Sequence, residues 1–187
     1  MGYVWYVGYS SYLCEERFLC YILGGQFRWG GRGSKGCKEK APPLANEVIV
    51  LPFPLYFAMN SESWDNGGVA FIDSDFASGG RTLGRMWKVT SKQFDCLRSQ
   101  EGRTWYDKEV TLGQHNDGNK IITMTKSKRL SETKPSDGYL KTIVLGLKET
   151  FELSDDDASN YLLNIPGIEG HVSVDEISAL VRSVSRS

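Results

Sequence analysis

The chain is 187 residues long, 40% apolar and 24% charged, enough for one domain with a proper hydrophobic core. Its 22 lysines and arginines are balanced by 23 acidic residues, so no overall positive field exists to hold nucleic acid or an anionic membrane surface. The longest apolar runs, Val4 to Tyr9 and Phe18 to Leu23, fall short of the roughly 20 residues that span a bilayer, and no secretory signal pattern opens the chain; the expected compartment is the cytoplasm.

Taken in order, Tyr3 to Tyr9 is dense in β-branched and aromatic side chains and breaks at Ser10-Ser11, the pattern of a buried strand. A helix is expected from about Cys14 to Leu23, with Phe18, Leu19 and Ile22 on one face and Gly24-Gly25 as its stop. The glycine-bearing, basic segment from Gln26 to Pro43, with Arg28, Arg32, Lys35, Lys38 and Lys40, reads as a surface loop. A basic rim for an anionic substrate is the alternative reading. Strands are expected at Glu47 to Leu51, Leu55 to Met59, Gly68 to Ile72, Thr82 to Val89, Trp105 to Leu112 and Lys120 to Thr125. The last two join through a hairpin turn at Asn116-Asp117-Gly118-Asn119. Between the fourth and fifth, Thr90 and Gln93 form a capping box for a helix carrying Phe94 and Leu97, ended by Gly102.

After Lys126 the pattern turns helical. Ser136 precedes a face of Leu140, Ile143, Val144 and Leu147, and Ser154 with Asp157 and Ser173 with Glu176 form two further capping boxes. The expected division is a core over 1–126 with a C-terminal helical extension over 127–187 packed on it. The run Asp155-Asp156-Asp157 suits a helix N-terminus better than a calcium loop, which needs alternating ligands and a central glycine.

Cys14, Cys20, Cys37 and Cys96 show no zinc spacing, and His115 and His171 lie far apart. Free thiols are expected, with Cys14 a candidate for a lowered pKa at a helix start. His115 is expected to be solvated beside the hairpin turn. Trp5, Trp29, Trp64, Trp87 and Trp105 read as core or pocket-wall residues, since no basic stripe accompanies them. Ser10 and Ser11 lack the surroundings of a serine nucleophile.

Three segments carry chemistry. Tyr6-Val7-Gly8-Tyr9-Ser10-Ser11-Tyr12-Leu13 runs from a strand through a small-residue turn into a helix, and such a turn aims unsatisfied N–H groups at a carboxylate or carbonyl oxygen. Gly84-Arg85-Met86-Trp87-Lys88-Val89 leads into the capped helix. Gln100-Glu101-Gly102 closes that helix, and Trp105-Tyr106 follows. The order of these pieces resembles the γ-glutamylcyclotransferase-like family, whose members carry Tyr-Gly-Ser-Asn after the first strand, a later Gly-bearing strand, and a helix ending in Glu-Gly before a tyrosine. The matching positions are Tyr9, Ser11, Leu13, Gly84, Glu101, Gly102 and Tyr106, across Tyr3 to Thr125. Pro135 to Leu140 resembles a helical extension of a bacterial subset.

The resemblance implies an α+β fold, a mostly antiparallel sheet or partly closed barrel flanked by helices. It also implies cyclisation of a γ-glutamyl amine or peptide to 5-oxoproline, with release of the amine and no metal or organic cofactor. Glu101 would be the general acid/base. Gly8, Tyr9, Ser10, Ser11, Tyr12, Leu13, Trp87 and Tyr106 would line the substrate site, with backbone at Tyr9, Ser10 and Ser11 holding the carbonyl oxygen or α-carboxylate. The expected partner is thus a small γ-glutamyl, zwitterionic or anionic ligand. Ser10 and Tyr12 depart from the family's glycine and asparagine, adding a side chain and a distant hydroxyl at the loop. They leave a second reading open: a non-catalytic ligand-binding or regulatory protein that keeps the cavity.

Overall fold

A computed structural model describes residues 2–30, 33–76 and 79–184; Arg32, one of the basic loop residues named above, lies outside them. The strands are β1 (Tyr3–Gly8), β2 (Ala45–Leu51), β3 (Leu55–Ser61), β4 (Gly67–Ile72), β5 (Thr82–Thr90), β6 (Lys108–Gln114) and β7 (Lys120–Thr125). The helices are α1 (Glu15–Leu23), α2 (Ser91–Glu101), α3 (Asp137–Phe151), α4 (Asp155–Leu163) and α5 (Val174–Arg182). Five strands form a sheet in the order β2-β5-β1-β7-β6, and β3 and β4 form a separate two-stranded ladder. Every pairing is antiparallel except that of β1 with β7. The fold is therefore α+β with an open, mostly antiparallel sheet, not a closed barrel. No described helix is long and apolar enough to cross a membrane.

Alternation along β1 divides the core. Trp5 and Val7 join one cluster with the β3–β4 hairpin and α3, α4 and α5, while Tyr6 points the other way, among Phe18, Trp87, Phe94 and Leu97. Successive strand residues face opposite sides of a sheet, so this single strand feeds both layers. Helix α3 buries Tyr139, Leu140 and the run Thr142 to Lys148; each fully buried aliphatic contributes about 1.5–3 kcal/mol. It lies against the 3-10 turn Ser11–Leu13 so closely that a Cβ on Gly146 would stand 2.4 Å from the Cys14 nitrogen. Buried Lys148 donates to the carbonyls of Val181 (3.0 Å) and Val184 (2.7 Å) at the end of α5 and pairs with Asp155 at 2.8 Å. One cation thus joins α3, α4 and α5 and answers the partial negative charge of a helix C-terminus.

Local signals and tertiary structure differ at four places. Trp105, Tyr106 and Asp107 precede β6 instead of opening it, because the N–H groups of Trp105 and Tyr106 both turn back to the Gly102 carbonyl at 3.0 and 3.1 Å. Ser154 caps α4 by accepting from the Asp157 N–H, but the reciprocal arm is missing: the Asp157 carboxylate takes the Ser154 hydroxyl at 2.6 Å. At Ser173 the longer Glu176 reaches the backbone N–H at 2.8 Å, and the box is complete. His115 is only partly solvated: its ring lies 4.4 Å from that of Trp5, between Glu47 and Asp117.

The fourth difference concerns thiols. Cys37 and Cys96 form a disulfide with Cα atoms 5.8 Å apart, while Cys14 and Cys20 are free and buried. The loop after α1 is drawn onto α2: the Cys37 N–H donates to the Ile22 carbonyl at 2.8 Å, and the Gln93 side chain donates to the carbonyls of Glu39 and Ala41. Burial pushes the Cys14 thiol up to about 12, overriding the helix start beside it. Cys96→Ser is expected to cost about 2–4 kcal/mol of stability, read from urea unfolding, and reductant should bring the wild type down to the variant's level. A variant as stable as the oxidised wild type would refute the bridge.

Candidate active site

A cavity of about 670 Å³ opens between the Ser10–Tyr12 turn, the loop at Gly33 to Gly36, the segment Asn60 to Trp64 and the end of α2. Glu101, Tyr106, Tyr21 and Tyr139 complete its wall.

Glu101 is the last residue of α2, and the helix stops at Gly102, whose φ of 82° suits a residue without Cβ. Its Oε1 accepts from the Tyr6 hydroxyl at 2.9 Å, while Oε2 is buried with no hydrogen-bond partner. The residue as a whole is only half-buried, although Oε2 is fully enclosed. Desolvation lifts the carboxyl from 4.5 to about 7, against the smaller downward pull of the hydroxyls of Tyr6 and Tyr12. The C-terminal end of a helix dipole disfavours negative charge in the same direction.

That shift fixes a pH dependence. Between the ordinary value of 4.5 and about 7, the folded state holds a proton that the unfolded chain has released, so the contribution of Glu101 to stability falls as pH rises through this window and is flat above it. The total is roughly 3 kcal/mol. Urea titrations at pH 5 and pH 8 should show this decline in the wild type and its absence in Glu101→Gln; equal slopes in the two proteins would contradict the burial.

The opposite wall is a turn folded tightly on itself. A Cβ on Gly8 would stand 2.4 Å from the Tyr12 Cβ, so only glycine lets the chain double back there. The Leu13 N–H is bonded to the Ser10 carbonyl at 2.9 Å and the Cys14 N–H to that of Ser11 at 3.3 Å. The N–H groups of Ser11 and Tyr12 therefore have no partner within the turn. Two side chains of β5 pin it from behind. Trp87 donates its indole N–H to the Tyr12 carbonyl at 3.0 Å and stacks on Phe18 at 4.5 Å. Arg85 donates to the Leu13 carbonyl at 3.2 Å and pairs with Glu15 at 2.9 Å.

Of the residues expected at the site, Ser10, Ser11, Tyr12, Glu101 and Tyr106 share this cavity. Gly8, Tyr9, Leu13 and Trp87 do not line it: Tyr9 bonds the Met124 carbonyl at 2.7 Å, Leu13 is fully buried, and Trp87 sits behind Tyr12. Tyr106 is anchored by its hydroxyl on the Ala70 carbonyl at 3.1 Å and by its ring on Phe71. Sequence reasoning missed Tyr6, Tyr21 and Tyr139, while Trp64, read as a core or pocket-wall residue, does line the cavity. Only Tyr6 left a signal, since alternation along β1 puts it on the α2 side. The loop at Gly33 to Gly36 brings Lys35 to the rim, and Ser34 donates to Gln100 beside Glu101. Among the described residues, no group of three His, Cys, Asp or Glu is placed to hold a metal ion.

The fold is that of a γ-glutamylcyclotransferase-like α+β protein. The chain is similar to a solved gamma-glutamyl cyclotransferase, with a TM-score of 0.61 and 21% identity, covering 97% of this chain and 99% of that one. It is also similar to the human uncharacterized protein loc79017, with a TM-score of 0.63, 20% identity and the same coverage. Against YkqA of Bacillus subtilis the TM-score is 0.57 at 16% identity, covering 89% of this chain and 56% of that one. No family model matches the sequence. Among curated proteins, Histone deacetylase 5 of Arabidopsis thaliana is 28% identical over 199 aligned residues, covering 85% of this chain but 30% of the deacetylase. The chain thus spans less than a third of that protein's length.

Proposed function

We propose that this protein is a γ-glutamylcyclotransferase-type enzyme, converting a γ-glutamyl amine or peptide to 5-oxoproline and a free amine. The observation that carries the reading is the Glu101 carboxyl: enclosed in the cavity, facing the Ser10–Tyr12 turn, with one oxygen unpartnered and a pKa of about 7. A group poised near neutrality accepts and returns a proton with equal ease.

In this mechanism the Glu101 carboxylate takes a proton from the substrate's α-amine, and the amine nitrogen attacks the γ-carbonyl carbon of the same molecule. The carbonyl π pair moves onto oxygen, where the N–H groups of Ser11 and Tyr12 receive the charge. Glu101, now a carboxylic acid, gives its proton to the departing nitrogen. The oxyanion pair returns, the original amide bond breaks, and the ring closes as 5-oxoproline. Atoms balance without water or an external redox partner.

Tyr12 favours a second reading, retention of a ligand without turnover, because its ring occupies the place where the resemblance sets an asparagine. Incubation with γ-glutamyl amines, γ-glutamyl dipeptides and glutathione, followed by mass spectrometry for 5-oxoproline, separates the two. Product from any member supports the enzyme; silence across the panel with a co-purifying small molecule supports the binding protein.

A further inference from the structure

Arg17 is an unusual cation. It lies in α1 at 1% exposure, yet its Nε and Nη1 are buried with no hydrogen-bond partner, and no carboxylate stands within ion-pair distance of it among the described residues. Its one bond runs from Nη2 to the Tyr21 hydroxyl at 2.6 Å. The guanidinium is held between two rings, 4.5 Å from the Tyr21 centroid and 5.1 Å from that of Trp64. A buried charge is costly unless paired, and the two rings supply only part of what water or a carboxylate would. The chain has 23 acidic side chains and places none of them here.

Both rings line the Glu101 cavity; the guanidinium lies against both of them without itself forming part of the wall. Nε is vacant, and its neighbour on the same edge of the guanidinium is Nη2, now bonded to Tyr21; with Nη2 released, that edge is the planar fork that grips a carboxylate through two parallel bonds. Tyr21, bonded to Arg17, packs on Tyr12 with ring centroids 4.9 Å apart, and both tyrosines line the cavity with Glu101; after burial itself, the phenols of both feel the Glu101 charge and the Arg17 charge in opposite senses. A carboxyl in the cavity wall and a cation packed against that wall are thus linked through two tyrosines.

We propose that Arg17 is the carboxylate-binding residue of this cavity, taking an anionic end of the ligand once the side chain of Tyr21 moves aside and frees Nη2. The inference deepens the function proposed above and rests on the same cavity. It leaves the Ser11 and Tyr12 N–H groups to the reacting carbonyl alone. Two carboxylates share this chemistry, the α-carboxylate of the glutamyl group and a carboxylate on the leaving amine, and the experiment distinguishes them.

Binding is measured by calorimetry on protein carrying Glu101→Gln, which blocks turnover, with two ligand pairs. The first is 5-oxoproline against 2-pyrrolidinone, which differ in the α-carboxylate; the second is γ-glutamylglycine against γ-glutamylmethylamine, which differ in the leaving-group carboxylate. The carboxylate-bearing member of at least one pair should bind tenfold or more tightly, and the pair showing it names the group bound. Adding Arg17→Gln should reduce the preference to parity, and Arg17→Lys, which keeps the charge but not the fork, should restore only part of it. Parity in both pairs with Arg17 intact, including no binding of any member, overturns the proposal. So does a preference that survives Arg17→Gln or Arg17→Lys undiminished in folded protein. An Arg17-dependent preference without any 5-oxoproline production by the wild type would remove the cyclotransferase reading and leave this one standing.

Discussion

Glu101→Gln is expected to lower kcat on an active γ-glutamyl substrate by at least 10²- to 10⁴-fold, the range for loss of a general acid/base, with little change in KM. The amide matches the carboxylate in size and can still receive the Tyr6 hydroxyl that Oε1 accepts at 2.9 Å, so the cavity keeps its shape. What it lacks is a basic site that takes a proton and gives it back. Its melting point at pH 8 should equal or exceed the wild type's, because the variant no longer carries a desolvated negative charge there. Steady-state kinetics and a thermal melt on the same preparation decide the matter. Wild-type turnover by a correctly folded variant would remove Glu101 from the chemistry, and loss of both turnover and fold would make it a structural residue instead.

Trp87→Ala should destabilise the protein by about 3–5 kcal/mol, the usual cost of deleting a large buried aromatic. The indole is 1% exposed, stacks on Phe18, carries the Arg85 guanidinium 4.0 Å from its ring, and bonds the Tyr12 carbonyl. Trp87→Phe separates packing from pinning. It retains most of the ring but leaves the Tyr12 carbonyl without its donor, at about 1–3 kcal/mol, and loosens a turn that lines the cavity. Urea unfolding should rank wild type above Phe above Ala, and the Phe variant should also lose ligand affinity. If Trp87→Ala unfolds at the wild-type midpoint, the packing described around β5 is wrong.

Elements governed by their own residues were the legible ones. Helix α2 has its cap, reciprocal glutamine, apolar face and stopping glycine within thirteen positions, Thr90 to Gly102, and the sequence reading matches it throughout. The Ser154 box misled because Asp157 is one methylene shorter than Glu176, too short to reach back to the cap N–H. Trp105 and Tyr106 have strand-forming side chains, yet the Gly102 carbonyl captured both of their N–H groups. Most of what remained hidden depends on partners far apart in the chain. Cys37 and Cys96 are 59 positions apart; Arg17 owes its isolation to Trp64 on the β3–β4 side; Glu101 meets Tyr6 across 95 positions. Motif order placed Ser10, Ser11, Tyr12, Glu101 and Tyr106 in one group, and the structure gathers them at one cavity. It could not tell lining from backing, which is why Trp87 and Tyr9 were expected to face a ligand and instead support the side chains that do.

The parallel seam between β1 and β7 has a consequence for how the molecule is made. β1 is made before both of its neighbours, one of which ends at Thr90 and the other at Thr125. Until Thr125 has been added, the nascent chain therefore carries a completed β1 with nothing along one side or both. Pairings this distant in sequence are slow to close, and an unfilled strand edge invites the wrong neighbour while it waits. The strand that feeds both layers of the finished core is thus the first to be exposed and among the last to be enclosed.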